Sequence, residues 1–201
     1  MTLTWNHENE LASPNVVPGG GGDIWPCKPN TETGLKERGF EFLAEMERLH
    51  MIVDVSHLSD RGFWDIAEHS TRPFAASHSN CRALAPHCRN LTDEMIRVMA
   101  EKGGLVGLNY CSGFLDDQPR PELCRSTTAL MARHAAHFKQ VGGIEIIGLG
   151  SDFDGIGGKL EMGDCSKLPL LADALRKEGF TEDEVEQIFF RNAQRFFEEN
   201  L

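Results

Sequence analysis

Ile52-Val-Asp-Val-Ser56, followed by His57, and Phe74-Ala-Ala-Ser77, followed by His78, decide how the rest of the chain is read. Both are short runs, largely apolar, that end in Ser-His. Runs without a clean polar alternation are what strands buried on both faces of a parallel sheet look like. Working outward, Met1–Trp5, Leu105–Tyr110 and Glu145–Gly150 join Met51–Ser56 and Phe74–Ser77 as candidate strands, five in all. Amphipathic stretches lie between them. Leu35–His50 places Leu35, Phe42, Leu43, Met46 and Leu49 near one helical face. Thr92 caps Asp93–Lys102, which stops at Gly103–Gly104, and Ser126 opens Thr127–Gln140. Thr181-Glu-Asp-Glu184 is a capping box before a terminal helix through Phe197. Strands alternating with helices predict an α/β fold with a parallel sheet. Asn15–Asn30, rich in Pro and Gly, follows a strand immediately and reads as a long functional loop rather than a linker. With no internal repeat, residues 1–201 are expected to form one domain.

Polar residues gather where the candidate strands end. Leu105-Val-Gly-Leu108 leads to Asn109, and Ile146-Ile-Gly-Leu-Gly150-Ser151 leads to Asp152. The carboxyl ends of parallel strands form the site-bearing rim of such folds. His57 and His78 are 21 residues apart, the length of one β-α-β step. Neighbouring parallel strands run about 4.8 Å apart, so two imidazoles at successive strand ends can share one metal ion at bonds of about 2.0–2.1 Å. The competing reading is two hydrogen-bonded loop histidines. Ser56 and Ser77, ahead of each histidine, need no more explanation than a small residue at a tight strand end. Asp152 and Asp154 sit in Gly150-Ser-Asp-Phe-Asp-Gly155. That segment reads either as an Asx turn closed by glycine or as a rim carboxylate that shuttles protons from metal-bound water. Arg89, in Pro86-His-Cys-Arg-Asn90, is either a surface arginine or a fixed guanidinium that grips a substrate carboxylate. His134 and His137, at i and i+3 on one helix, suit packing or solvent better than a metal.

Composition narrows the function classes. Twenty Lys and Arg stand against 31 Asp and Glu, a net charge of −11, which disfavours nucleic acid or an anionic membrane surface as a partner. No run approaches the roughly 18 apolar residues of a membrane span, and the opening residues carry no signal-peptide pattern. Six scattered cysteines, Cys27, Cys81, Cys88, Cys111, Cys124 and Cys165, form no Cys-x-x-Cys pair. Reduced thiols and a cytoplasmic location are the expectation.

Taken in order, Val53-Asp-Val-Ser-His57, Ser77-His-Ser-Asn-Cys-Arg-Ala83, Arg89-Asn-Leu-Thr-Asp93 and Gly150-Ser-Asp-Phe-Asp-Gly155 resemble the membrane (renal) dipeptidase family of zinc metallopeptidases. The similarity runs from about Leu3 to the C-terminal helix, and Leu3-Thr-Trp-Asn-His-Glu-Asn9 looks like the form this segment takes in bacterial members. The resemblance implies a (β/α)8 TIM-type barrel with a two-zinc site that hydrolyses dipeptides. It implies that His57 and His78 hold the second zinc, that Arg89 clamps the substrate's C-terminal carboxylate, and that Asp152 assists proton transfer beside the bridging hydroxide. Trp5 falls where well-studied members carry a substrate-contacting histidine; it brings an indole N–H but no acid–base group.

The family's first zinc uses a His-x-Asp pair on the first strand, and a Glu further along bridges both metals. Those elements belong upstream of Leu3, and no His-x-Asp occurs in the chain. Five candidate strands against eight predict a partial barrel lacking its N-terminal strands. Open strand edges then predict a homo-oligomer or pairing with a missing N-terminal part. Three functional readings compete: a zinc-dependent dipeptidase or its C-terminal portion, a non-catalytic remnant or assembly partner of such a barrel, and another metal-dependent amidohydrolase acting on a cyclic amide or lactone.

Overall fold

The computed structural model describes residues 1–16 and 28–201. Most of the long loop expected over Asn15–Asn30 lies outside the described residues. Three strands, β1 (Ala75–Ala76), β2 (Leu105–Leu108) and β3 (Ile147–Leu149), form a parallel sheet in the order β1-β2-β3. Ala75 pairs with Leu105, and Val106 with Ile147. The other two candidate strands are not strands of their own. Asp54 joins β1 by a single parallel bridge to Ala75, and Thr2 joins Asp54 by another. Five parallel segments therefore lie side by side in chain order, but only three are paired over more than one residue. The reason is local. Past Leu3 the chain turns away, held by the Thr4 hydroxyl on the His7 carbonyl (2.7 Å) and the Asn9 amide on the Leu3 carbonyl (2.8 Å). Past Val55 it turns again, with Leu58 N–H on the Val55 carbonyl. Among the described residues the structure is α/β, with a partial array of parallel strands rather than the eight of a closed barrel.

Several helix starts follow from side-chain caps. Helix α1 covers Glu37–Arg48, and α2 (Asp60–His69) starts at Ser59, whose side chain accepts from Gly62 N–H. Helix α3 (Asp93–Glu101) starts where Thr92 accepts from Met95 N–H. After a short α4 (Ser112–Leu115), α5 (Thr128–Gly142) is capped by Thr127 rather than by Ser126. Ser126 instead donates to the Tyr110 carbonyl at 2.7 Å, tying the helix start to the end of β2. Helix α5 stops at Gly143, whose φ of 90° suits a residue without a Cβ. Helix α6 (Leu168–Glu178) precedes the Thr181–Glu184 capping box, and the terminal helix runs as α7 (Glu182–Glu186), a π-helical turn at Gln187–Arg191, and α8 (Asn192–Asn200). Of the thiols, Cys81, Cys111, Cys124 and Cys165 are free, but Cys88 is disulfide-bonded, so the expectation of six reduced thiols fails there.

The sheet is buried on both faces, which is why its strands lack a polar alternation. Val53, Val55, Ala76, Val106, Leu108 and Ile147 belong to the main core, with Phe63 and Ile66 of α2, Ile96 and Met99 of α3, and Met131 and Phe138 of α5. Ala75 and Leu105 form a second cluster around Phe196 of α8, supported by Ile52 and Ala193. Wholly buried, Phe196 contributes on the order of 1.5–3 kcal/mol of stability. The closest backbone approach in the sheet lies at its carboxyl end, where Gly107 and Gly150 flank the Ser77 carbonyl. A Cβ built on either would stand 2.0 Å from that oxygen, whereas one on Gly148 would meet nothing nearer than 3.4 Å. Gly107→Ala is expected to destabilise by about 1–3 kcal/mol or more, and Gly148→Ala by much less. Urea midpoints compare the two; equal shifts would show that the approach of Ser77 to Gly107 is not a constraint.

Candidate active site

His57 and His78 leave adjacent parallel segments at their carboxyl ends, and their Nε2 atoms face each other at 2.9 Å. The hydrogen-bond partners fix which nitrogens carry hydrogen. Arg89 has only N–H groups to offer, and its Nη2 lies 3.2 Å from His57 Nε2, so that nitrogen accepts. His57 Nδ1–H then donates to Asn6 Oδ1 at 3.2 Å. His78 Nδ1 lies 2.7 Å from Ser77 Oγ, whose own hydrogen goes to the carboxylate of Asp54. His78 Nδ1 therefore supplies the hydrogen, and its Nε2 is also a bare lone pair. Two lone pairs aimed at one another repel unless a cation lies between them. Nitrogens on a tetrahedral ion with bonds of about 2.0–2.1 Å stand about 3.3 Å apart, close to the observed spacing. The pair thus fits two ligands of a metal ion. Among the described residues, no group of three or more His, Cys, Asp or Glu side chains surrounds a common point.

Asp54 is the member of this site that the sequence did not single out. Its buried carboxylate accepts from Ser56 N–H (3.0 Å), Ser77 N–H (2.9 Å), the Ser77 hydroxyl and Thr2 Oγ1 (3.2 Å). Burial opposes its ionisation, but these hydrogen bonds together hold its pKa below the ordinary value. Ser56 also has a task, since its Oγ accepts from His78 N–H at 3.0 Å. The Ser-His repeats therefore carry more than small size at a strand end. A sequence signal existed: a carboxylate inside an otherwise apolar strand is costly unless it is fully hydrogen-bonded.

Arg89 is not a surface residue. Only 3% exposed, it donates to the Ser56 carbonyl and to the His78 carbonyl (3.3 Å), and its guanidinium lies 5.4 Å from the centre of the Phe114 ring. The loop that carries it is fastened by Asn90, whose amide donates to the Ala85 (2.8 Å) and Phe114 (2.9 Å) carbonyls. Burial lowers its pKa to about 10, so it stays charged at neutral pH. No carboxylate forms an ion pair with it among the described residues. Asp152 adopts φ 63°, a left-handed conformation that Asp tolerates better than most residues. Its turn is closed by Gly155 N–H on the Asp152 carbonyl, so the carboxylate is not spent on an Asx turn. Instead Oδ2 accepts from Asn109 Nδ2 at 3.2 Å, and Asn109 reaches on to the His78 carbonyl at 3.5 Å. Asp154 is exposed. Trp5 is 65% exposed, its ring centre 6.4 Å from that of His57. His134 and His137 lie elsewhere: His134 accepts from Cys81 N–H and donates to the Leu115 carbonyl, and His137 pairs with Asp93.

The sequence profile of membrane dipeptidases (peptidase family M19) matches residues 1–200. The chain belongs to the membrane dipeptidase family. It is 36% identical, over 95% of its length, to an uncharacterised protein from the pqqA 5′ region of Klebsiella pneumoniae, of which it covers 68%. It is 34% identical to an uncharacterised dipeptidase of Schizosaccharomyces pombe over 97% of its length but only 45% of that protein. Its fold superposes with a TM-score of 0.88, at 31% identity, on the metallopeptidase from Rhodobacter sphaeroides solved with a phosphinate mimic of L-Ala-D-Ala, covering all of this chain and 55% of that one. A dipeptidase of family M19 gives a TM-score of 0.87 at 32% identity. The chain thus spans about half the length of several relatives it matches.

Burial, Arg89 and His78 press the pKa of His57 from the ordinary 6.5 to about 3, and burial lowers that of His134 to about 4. The unfolded chain takes up protons on these histidines as pH falls through 6.5, while the folded chain does not, so folding weakens on acidification. In metal-free protein, the urea midpoint should be flat from pH 8 to 7 and fall steadily from pH 6.5 to 5, before ordinary carboxylates titrate. His57→Asn should reduce the slope by about one proton. An unchanged midpoint down to pH 5 would contradict the neutral, buried state of these rings.

Proposed function

We propose that the chain carries the half of a zinc-dependent dipeptidase site that holds one metal ion and grips the substrate's carboxylate. The observation that carries this reading is the pair of Nε2 lone pairs at 2.9 Å beside a buried arginine that has no carboxylate partner among the described residues. Zinc bound at His57 and His78 would supply Lewis acidity and lower the pKa of its water toward about 7. The residues of the chain do the rest. With His57 Nε2 engaged by metal, the Arg89 Nη2–H now directed at it is free to donate to a carboxylate. A desolvated guanidinium binds such a group far more strongly than a solvated one. Asp152, steered by Asn109, is the carboxylate at the rim available to accept and return a proton. Trp5, exposed beside His57, offers an indole N–H to the substrate at the mouth.

Remaining metal ligands come, in this reading, from parts of the protein that longer relatives have and this chain does not match, or from a partner chain. The four free cysteines among the described residues support a cytoplasmic location, against which the bonded Cys88 counts. The second reading, a binding or assembly module without catalysis, rests on one observation: no third metal-ligating side chain joins the histidines among the described residues.

The test is zinc content together with a panel of dipeptides, including L,D pairs. The expected result is bound zinc lost in His57→Ala and His78→Ala, turnover of dipeptides with a free C-terminal carboxylate, and a KM raised about 10–100-fold by Arg89→Ala, in line with loss of a charged hydrogen-bond pair. Zinc at full load without turnover would favour the second reading. Hydrolysis that is indifferent to Arg89→Ala would overturn the carboxylate clamp.

A further inference from the structure

Asp54 touches no metal-directed atom, yet it controls one. Its carboxylate is acceptor-only, so the Ser77 hydroxyl must point its hydrogen at Asp54 and its lone pairs elsewhere. One of those lone pairs receives His78 Nδ1–H at 2.7 Å. The hydrogen bonds therefore run in one direction, from His78 Nδ1 to Ser77 Oγ to Asp54. That direction is what leaves His78 Nε2 unprotonated and turned toward His57. Ser56 reinforces it: its Oγ takes His78 N–H at 3.0 Å and lies 3.3 Å from Ser77 Oγ.

We infer that Asp54 is a positioning residue, acting through Ser77 to set the tautomer of His78 and so the readiness of the histidine pair for metal. The inference deepens the zinc-site reading above and rests on it. The serine relay matters because an imidazole left to itself places its hydrogen on either nitrogen, and only one tautomer offers Nε2 as a ligand. Packing would need only a group of similar shape at residue 54. A direction of hydrogen bonding needs a group that cannot donate.

Asp54→Asn separates the two. The amide has the same shape and can still accept the Ser56 and Ser77 backbone N–H groups through its oxygen. Its Nδ2 then points hydrogens at Ser77 Oγ, which turns the hydroxyl round to donate to His78 Nδ1 and moves the imidazole hydrogen to Nε2. In metal-free protein at pH 7.5, nitrogen-15 NMR of the histidine rings should show His78 as the Nδ1–H form in the wild type and the Nε2–H form in Asp54→Asn, with His57 unchanged. Zinc affinity, measured by chelator competition, should fall about 10–100-fold. Ser77→Ala cuts the same chain without placing an amide in the interior, and it carries the test should Asp54→Asn fail to fold: it should mix the His78 tautomers and weaken zinc by a similar factor. Adding Asp54→Asn to it should bring little further loss. His78 remaining in its Nδ1–H form in both variants, or a flipped tautomer with zinc affinity unchanged, overturns the inference. Failure of the wild type to bind zinc sinks the metallopeptidase reading instead, and the NMR result still decides the role of Asp54.

Discussion

A single buried carboxylate holds the carboxyl ends of three parallel segments in place. Asp54 bridges Thr2 on one side and Ala75 on the other through its backbone, and its side chain binds Thr2, Ser56 and Ser77. Burying a charge of this kind carries a penalty of several kcal/mol unless its oxygens are satisfied. Here four donors satisfy them. The consequence is geometric. The first two segments are joined to their neighbours by one bridge each, too few for a ladder to fix their register. The carboxylate supplies the register that the ladder lacks, and it does so next to the residues from which both histidines project.

Ser77 is held from both sides. Its carbonyl lies against Gly107 and Gly150, so closely that no side chain fits at either position, and its hydroxyl and N–H are committed to Asp54. A residue fixed in backbone and side chain alike makes a stiff mount for its neighbour, His78. Asn109 and Asp152, which follow β2 and β3, meet by hydrogen bond across the same rim. Parallel strands with small residues at their ends bring groups from distant parts of the chain within reach of one another, and the rim inherits that arrangement directly.

Much of this was legible before any coordinates. Apolar runs marked all five parallel segments in their order, caps at Thr92 and Thr181 marked helix starts, and the two Ser-His steps marked the rim. What was not legible depended on long-range contacts. Thr127 and Ser126 are equally good caps in isolation; Ser126 is taken by the Tyr110 carbonyl. Arg89 looks like a surface residue until Asn90 and Phe114 are seen fastening its loop inward. Asp54 sits in an apolar run where its charge is conspicuous, but three of its four donors come from Thr2 and Ser77, far away in the sequence. The π-helical turn at Gln187–Arg191 has no local sequence signature. Length of strand pairing also escaped the sequence, because the turns at Thr4–His7 and Val55–Leu58 cut the first two segments short.

The electrostatics of the rim run against those of the whole chain. A net charge of −11 repels anions at a distance, so the proposed grip on a carboxylate must be local. Arg89 would provide it from a buried position where screening by solvent and salt is weak. The same burial keeps His57 neutral, assisted by the positive field of Arg89. One cation thus acts on both halves of the proposed site: it favours a negatively charged ligand and disfavours a proton on the imidazole beside it. The same field opposes any other cation at His57, so in the proposed site a metal there depends on nearby negative charge, including a bound carboxylate, to offset Arg89.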